Sequence, residues 1–259
     1  TMGVPGHLLR SFATDERGVT DQLSGSDLIT HRTALADRWG GWFVTGTHGD
    51  QTHRGNLIGA EAFARQEREP NFAGNKPTLV DLPPPFDPNR YPAATSDIVA
   101  LMVLEHQVHM HNFLTRLNYE ATMQLQAYGH CNYIKSPLEA FLRYLLFTEE
   151  APLTAPVRGG DEFAKAFEAA GPRDPQGRSL RQLDLKTRLF KYPCSFLIHS
   201  ESFQALPAEL KARIYQRLWS ILSGEDSGPT WQRLTAADRK AIREILISTQ
   251  PDLPSYWKL

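Results

Sequence analysis

Five of the nine histidines fall in two short stretches: His48 and His53 within Thr45-Gly-Thr-His-Gly-Asp-Gln-Thr-His-Arg-Gly-Asn56, and His106, His109 and His111 in one predicted helix. Imidazole is the commonest metal ligand and the side chain that titrates nearest neutral pH, so ligation and proton transfer are the chemistries to weigh. On a helix advancing ~100° per residue, His106 and His109 lie ~60° apart, whereas His109 and His111 differ by ~200° and face opposite ways. All three cannot bind one metal ion. Met102, His106, His109 and Phe113 form a mostly apolar stripe that should face the core, and Gln107 and His111 share another face. Glu105 and His109, four apart, are spaced for a carboxylate–imidazole pair. His106 is the best ligand candidate of the three, although a histidine on an apolar helix face is more often a hydrogen-bonded core residue.

The loop histidines differ in kind. Glycines beside His48 and after Arg54 let the backbone approach a planar ligand or take a positive φ. The plainer readings are a turn for His48 and a surface position for His53. Trp39 and Trp42 bracket Gly40-Gly41 and read first as core anchors, with a tryptophan wall against a cofactor as the other reading. His48, His53, Trp42 and Arg54 are the candidate cofactor-binding residues, and His48, His53 and His106 the candidate metal ligands.

Several chemistries have no motif here: no Gly-x-Ser-x-Gly elbow, no phosphate loop, no Gly-x-Gly-x-x-Gly turn, no His-Glu-x-x-His zinc helix and no Cys-x-x-Cys-His haem attachment sequence. Glu149-Glu150 and Asp161-Glu162 read as acidic pairs near helix starts, complementing the helix dipole. Cys131 and Cys194 belong to no Cys-x-x-Cys pair and read as two buried thiols, with a disulfide as the lesser alternative.

Positioning these residues falls to a chain of 259 residues, 41% hydrophobic and 22% charged, long enough for one large core or two small ones. A net charge of −1 gives no electrostatic reason to propose nucleic acid. The longest apolar run, Ile98 to Leu104, is far short of the ~20 residues of a membrane span.

The expected class is α+β: a small N-terminal antiparallel β region followed by a larger, mainly helical region. Residues 1–60 read as strands and turns, with His7–Ala13 as an arm of a hairpin turning at Asp15–Gly18, Gly41–Gly46 as a second extended stretch and Asn56–Gly59 as its return. Residues 61–95 form a connector, seven prolines between Glu69 and Ala94 denying it a regular ladder or helix. Within the helical domain, 96–259, Thr95-Ser96-Asp97 caps a helix from Ile98 to about Gln126, apolar all round at its start and so buried on every side. Further helices are expected at 137–148, 161–170, 207–223 and 235–249.

Gly6–Ser11, Arg38–Gly49, Ser96–Gln107, Ala151–Arg158 and Lys191–Ser202 resemble a family of uncharacterised bacterial c-type cytochrome-like proteins. The resemblance spans nearly the whole chain. It implies an exported, periplasmic, haem-associated protein, with a Cys-x-x-Cys-His site upstream of a PAS-like sheet and a helical domain, working in electron transfer or ligand sensing with a redox partner protein. His48, His53 and His106 become candidate axial ligands of haem c. The chain begins just after the place of that attachment site, so it is either a piece of a longer chain or a member without covalent haem. Gln126–Tyr133 is also shorter than the corresponding region. The resemblance carries no activity. Two alternatives stand beside it: a non-haem metal enzyme using His48 or His53 with His106 and a carboxylate such as Glu105, and a non-catalytic structural or binding subunit.

Overall fold

The computed structural model describes residues 6–66, 68–69, 74–82 and 87–258. Its class is α+β, a two-stranded antiparallel sheet followed by a mainly helical region. β1 (Arg10–Thr14) and β2 (Thr20–Leu28) pair in the register Arg10↔Leu28 and Thr14↔Thr20, with an irregularity between Phe12 and Ala13. Asp15 closes the hairpin by accepting the backbone N–H groups of Arg17 and Val19, each at 2.9 Å. Gly40 ties the loop that follows to β1: its carbonyl accepts the Phe12 N–H and its N–H donates to Ser11 Oγ.

The stretches at 41–46 and 56–59 are not strands. Trp39, Gly41 and Gly46 all have positive φ (66°, 82° and 124°), so the chain turns where a strand would run straight. Thr45 and Thr47 instead form isolated bridges to Asp97 and Arg158. Gly46 admits no side chain there, since a Cβ would sit 2.5 Å from both the Arg158 carbonyl oxygen and Ile98 Cγ2. This close approach fastens the N-terminal loop to the start of the long helix.

A short helix, α1 (Ala60–Gln66), opens the proline-rich connector, which otherwise carries only single 3-10 turns among its described residues. The central element is α2 (Ile98–Tyr128), capped by the Asp97 carboxylate on the Val99 and Ala100 N–H groups and ended by Gly129 in the left-handed region. Burial does not extend all round its start: Ile98, Val99, Met102, Val103, Glu105 and His106 are buried, but Leu104 is 39% exposed. α3 (Lys135–Leu145), α4 (Asp161–Ala169) and the one-turn α5 (Glu201–Gln204) pack on α2, while α6 (Ala208–Ser223) pairs with α7 (Ala236–Thr249) and reaches α3. α3 stops short of its expected end because Phe147 takes a φ of 54°. Thr235 and Asp238 form the capping box of α7. Cys131 and Cys194 are free and buried. Among the described residues no helix is long and apolar enough to cross a membrane.

Candidate functional site

The loop from residue 29 to 56 lies against the apolar first half of α2, and the polar side chains between them are sealed from solvent. Arg38 and Glu105, 2% and 1% exposed, form an ion pair. The same guanidinium donates to the carbonyls of Thr33 and His31. Glu105 Oε2 is buried without a hydrogen-bond partner. Burial pushes the Glu105 carboxyl up to about 7, with the Arg38 charge and the Trp39 side chain pulling the other way.

One helical step away, His106 is held on both nitrogens: Nδ1 lies 2.8 Å from His31 Nδ1, and Nε2 lies 2.7 Å from Ser195 Oγ. Burial keeps both rings neutral, His106 down at about 3 and His31 well below its ordinary value. Neutral rings carry one N–H each, so the proton between the two Nδ1 atoms fixes the rest. If His31 donates, His106 Nε2–H donates to Ser195; if His106 donates, the Ser195 hydroxyl donates to it. The rings stack in an aromatic layer, His31 at 4.0 Å from Tyr144 and 4.4 Å from Phe147, and His106 at 4.5 Å from Phe147. His31 Nε2 is buried with no partner.

His48 and His53 form a second pair, edge to face at 4.5 Å, with Trp39 edge-on to His53 at 5.4 Å. Both are buried, which overturns the surface reading of His53. His53 Nδ1 accepts the Gly55 N–H at 3.0 Å, so its proton resides on Nε2. Burial and the neighbouring His48 hold it down at about 3. His48 is the reverse: Nδ1 lies 2.5 Å from the Gln51 carbonyl, which can only accept, so the proton is on Nδ1 and Nε2 is a bare nitrogen. That nitrogen is buried without a partner. The loop is held by the Gln51 amide, which donates to the His48 and Ala155 carbonyls and accepts the Thr154 N–H.

The candidate residues thus separate by partner. His48 and His53 are brought together, whereas His106 joins His31. Trp42 is half-buried, its indole N–H donating to the Arg10 carbonyl at 2.9 Å, and Arg54 pairs with Asp27 and Asp37. Glu105 meets Arg38 rather than His109, which is half-buried and edge-on to Tyr144 at 4.8 Å. Glu150 opens no helix; it is buried, accepts the Leu189 N–H at 2.8 Å, and burial pushes it up to about 7. Among the described residues no three His, Cys, Asp or Glu side chains are grouped to hold a metal ion.

Sequence reasoning missed His31, Arg38, Tyr144 and Ser195. Their partners lie 38 to 89 residues away, so spacing alone could not find them. One signal was present: Glu105 and His106 directly follow the apolar run Ile98–Leu104, where a charged group requires an opposite charge supplied from elsewhere. Comparison of the chain with protein-family models, curated proteins and solved structures gave no match.

Proposed function

We propose that this chain is part of an exported, haem-associated, c-type-cytochrome-like protein that transfers electrons or senses a ligand, with His48 as the axial imidazole. His48 carries this reading. Metal-bound histidines commonly donate their other ring N–H to a carbonyl or carboxylate, which fixes the tautomer and raises the basicity of the ligating nitrogen. The Gln51 carbonyl does this for His48, and the opposite nitrogen is a buried lone pair with nothing to bond. Haem asks for only one or two such ligands, so it does not require the three-residue grouping of a non-haem iron site. Bound there, haem would supply one-electron chemistry or a ligand-binding iron. The protein's own part would be the nitrogen, its tautomer and the buried setting shared with His53 and Trp39.

The test is the absorption spectrum and iron content of the protein expressed from its complete coding region with c-type haem maturation. A Soret band that changes in His48→Ala is expected. Protein made from the complete coding region that shows no Soret band and no iron would overturn the reading.

His106 favours a second reading, a structural or binding subunit without redox chemistry. It is hydrogen-bonded on both nitrogens inside the core, as a load-carrying polar contact between the loop, α2 and the 195–199 turn. Under either reading, His106→Ala should lower stability and leave any haem spectrum as it was.

A further inference from the structure

We infer that the cavity between α2, α4 and the 196–202 turn is a binding site for a small apolar monocarboxylic acid, anchored by Arg181. This site is separate from the buried histidines and does not rest on the haem reading. The cavity has a volume of about 600 Å³, within the usual range for small-molecule sites. Phe163, Phe167 and Phe196 supply aromatic wall, and Leu104, left 39% exposed beside the buried Val103, lines the same space. An apolar ligand would cover it.

Arg181 sets the chemistry. Its guanidinium lies over the rings of Phe196 and Phe167, 4.4 Å and 4.7 Å from their centroids. These contacts strip water from it, and burial lowers its proton affinity. Most arginines near this core have an acidic or carbonyl partner: Arg38 has Glu105, Arg178 has Asp174 and Glu244, Arg188 has Asp238, and Arg233 has the Glu150 carbonyl. Among the described residues no carboxylate or carbonyl pairs with the Arg181 guanidinium. A half-desolvated guanidinium with open donors, set on aromatic faces at a cavity, matches a carboxylate that accepts two N–H bonds at once. The attached hydrophobic group then lies against the phenylalanines.

Glu201 narrows the class. It is exposed on the same cavity wall and makes no ion pair with Arg181, so a second negative charge on the ligand would meet it unfavourably. Monoanions should therefore bind better than dianions.

The probe is 3-phenylpropionate, titrated calorimetrically into the full chain beside its neutral amide and phenyl phosphate. Saturable binding of the acid is expected, with about a tenfold or greater loss for the amide and for Arg181→Gln. Glu201→Gln, an exposed change, should leave folding intact and improve phenyl phosphate relative to the acid. The proposal is overturned if the acid does not bind at millimolar concentration, if acid and amide bind alike, or if Arg181→Gln, shown folded by circular dichroism, binds the acid as wild type does.

Discussion

Arg38→Met should show how far the fold depends on its sealed ion pair. The substitution nearly preserves side-chain length and removes the charge, leaving Glu105 in place at 1% exposure. Oε1 loses its only ionic partner and Oε2 already has none, so the carboxylate would stand uncompensated inside the core. Breaking a buried pair in this way costs about 3–5 kcal/mol, a large share of the about 5–15 kcal/mol that holds a typical domain together. The loss should depend on pH. Glu105 already has its folded pKa raised from 4.5 to about 7, and without Arg38 it rises further. A raised carboxyl contributes stability that is fully present below the unfolded value and lost as pH rises through the folded one. The penalty of Arg38→Met should therefore be larger at pH 8 than at pH 5. Removing both charges in Arg38→Met/Glu105→Leu should recover the part of it that comes from the stranded carboxylate, while the Thr33 and His31 carbonyls still lose their Arg38 donors. Urea unfolding followed by tryptophan fluorescence and circular dichroism measures all four corners of the cycle. A single variant within about 1 kcal/mol of wild type at pH 8, or a double variant no better than the single, would show that the buried carboxylate tolerates the loss of its partner.

Four further outcomes are expected. Ser195→Ala removes the partner of His106 Nε2 and the cap of the 196–199 turn, and should cost about 1–3 kcal/mol by urea unfolding; an unchanged midpoint would show the contact to be idle. The His106 ring should stay neutral in nuclear magnetic resonance spectra from pH 8 to pH 5, since its folded pKa is down at about 3, and titration near 6.5 would contradict its burial. A depressed histidine gives stability that is present above its unfolded value and lost as pH falls toward its folded one. His53 and His106 should each withdraw about 1.4 kcal/mol per pH unit below about 6.5, opposed between about 7 and 4.5 by Glu105 and Glu150. Asp97→Ala should cost about 1–2 kcal/mol in thermal or urea unfolding, because one carboxylate caps α2 and also accepts the Gly160 N–H.

The helical region was legible because its signals are local. Asp97, Thr235 and Asp238 cap where their types and spacing announce helix starts, and apolar periodicity carries α2, α3, α6 and α7 to within a few residues of their observed ends. The hairpin was legible from alternation and the Asp15–Gly18 turn. The stretch 41–46 was not, because its aromatic and β-branched residues fit a strand while positive φ at Trp39, Gly41 and Gly46 prevents one. Of the candidate site, the nearness of His48 and His53 could be anticipated from their loop, but not the burial of His53. The core-facing stripe expected to hold His106 and His109 buries His106 fully and His109 only in part, and the partners of His106 could not be read, since His31 and Ser195 are 75 and 89 residues distant.

The most direct test of the haem proposal is electron paramagnetic resonance of the ferric, haem-loaded protein, wild type beside His48→Ala. A histidine-ligated iron signal is expected in the wild type and is lost or replaced in the variant, with His106→Ala leaving it unchanged. An identical signal in wild type and His48→Ala would contradict the proposal.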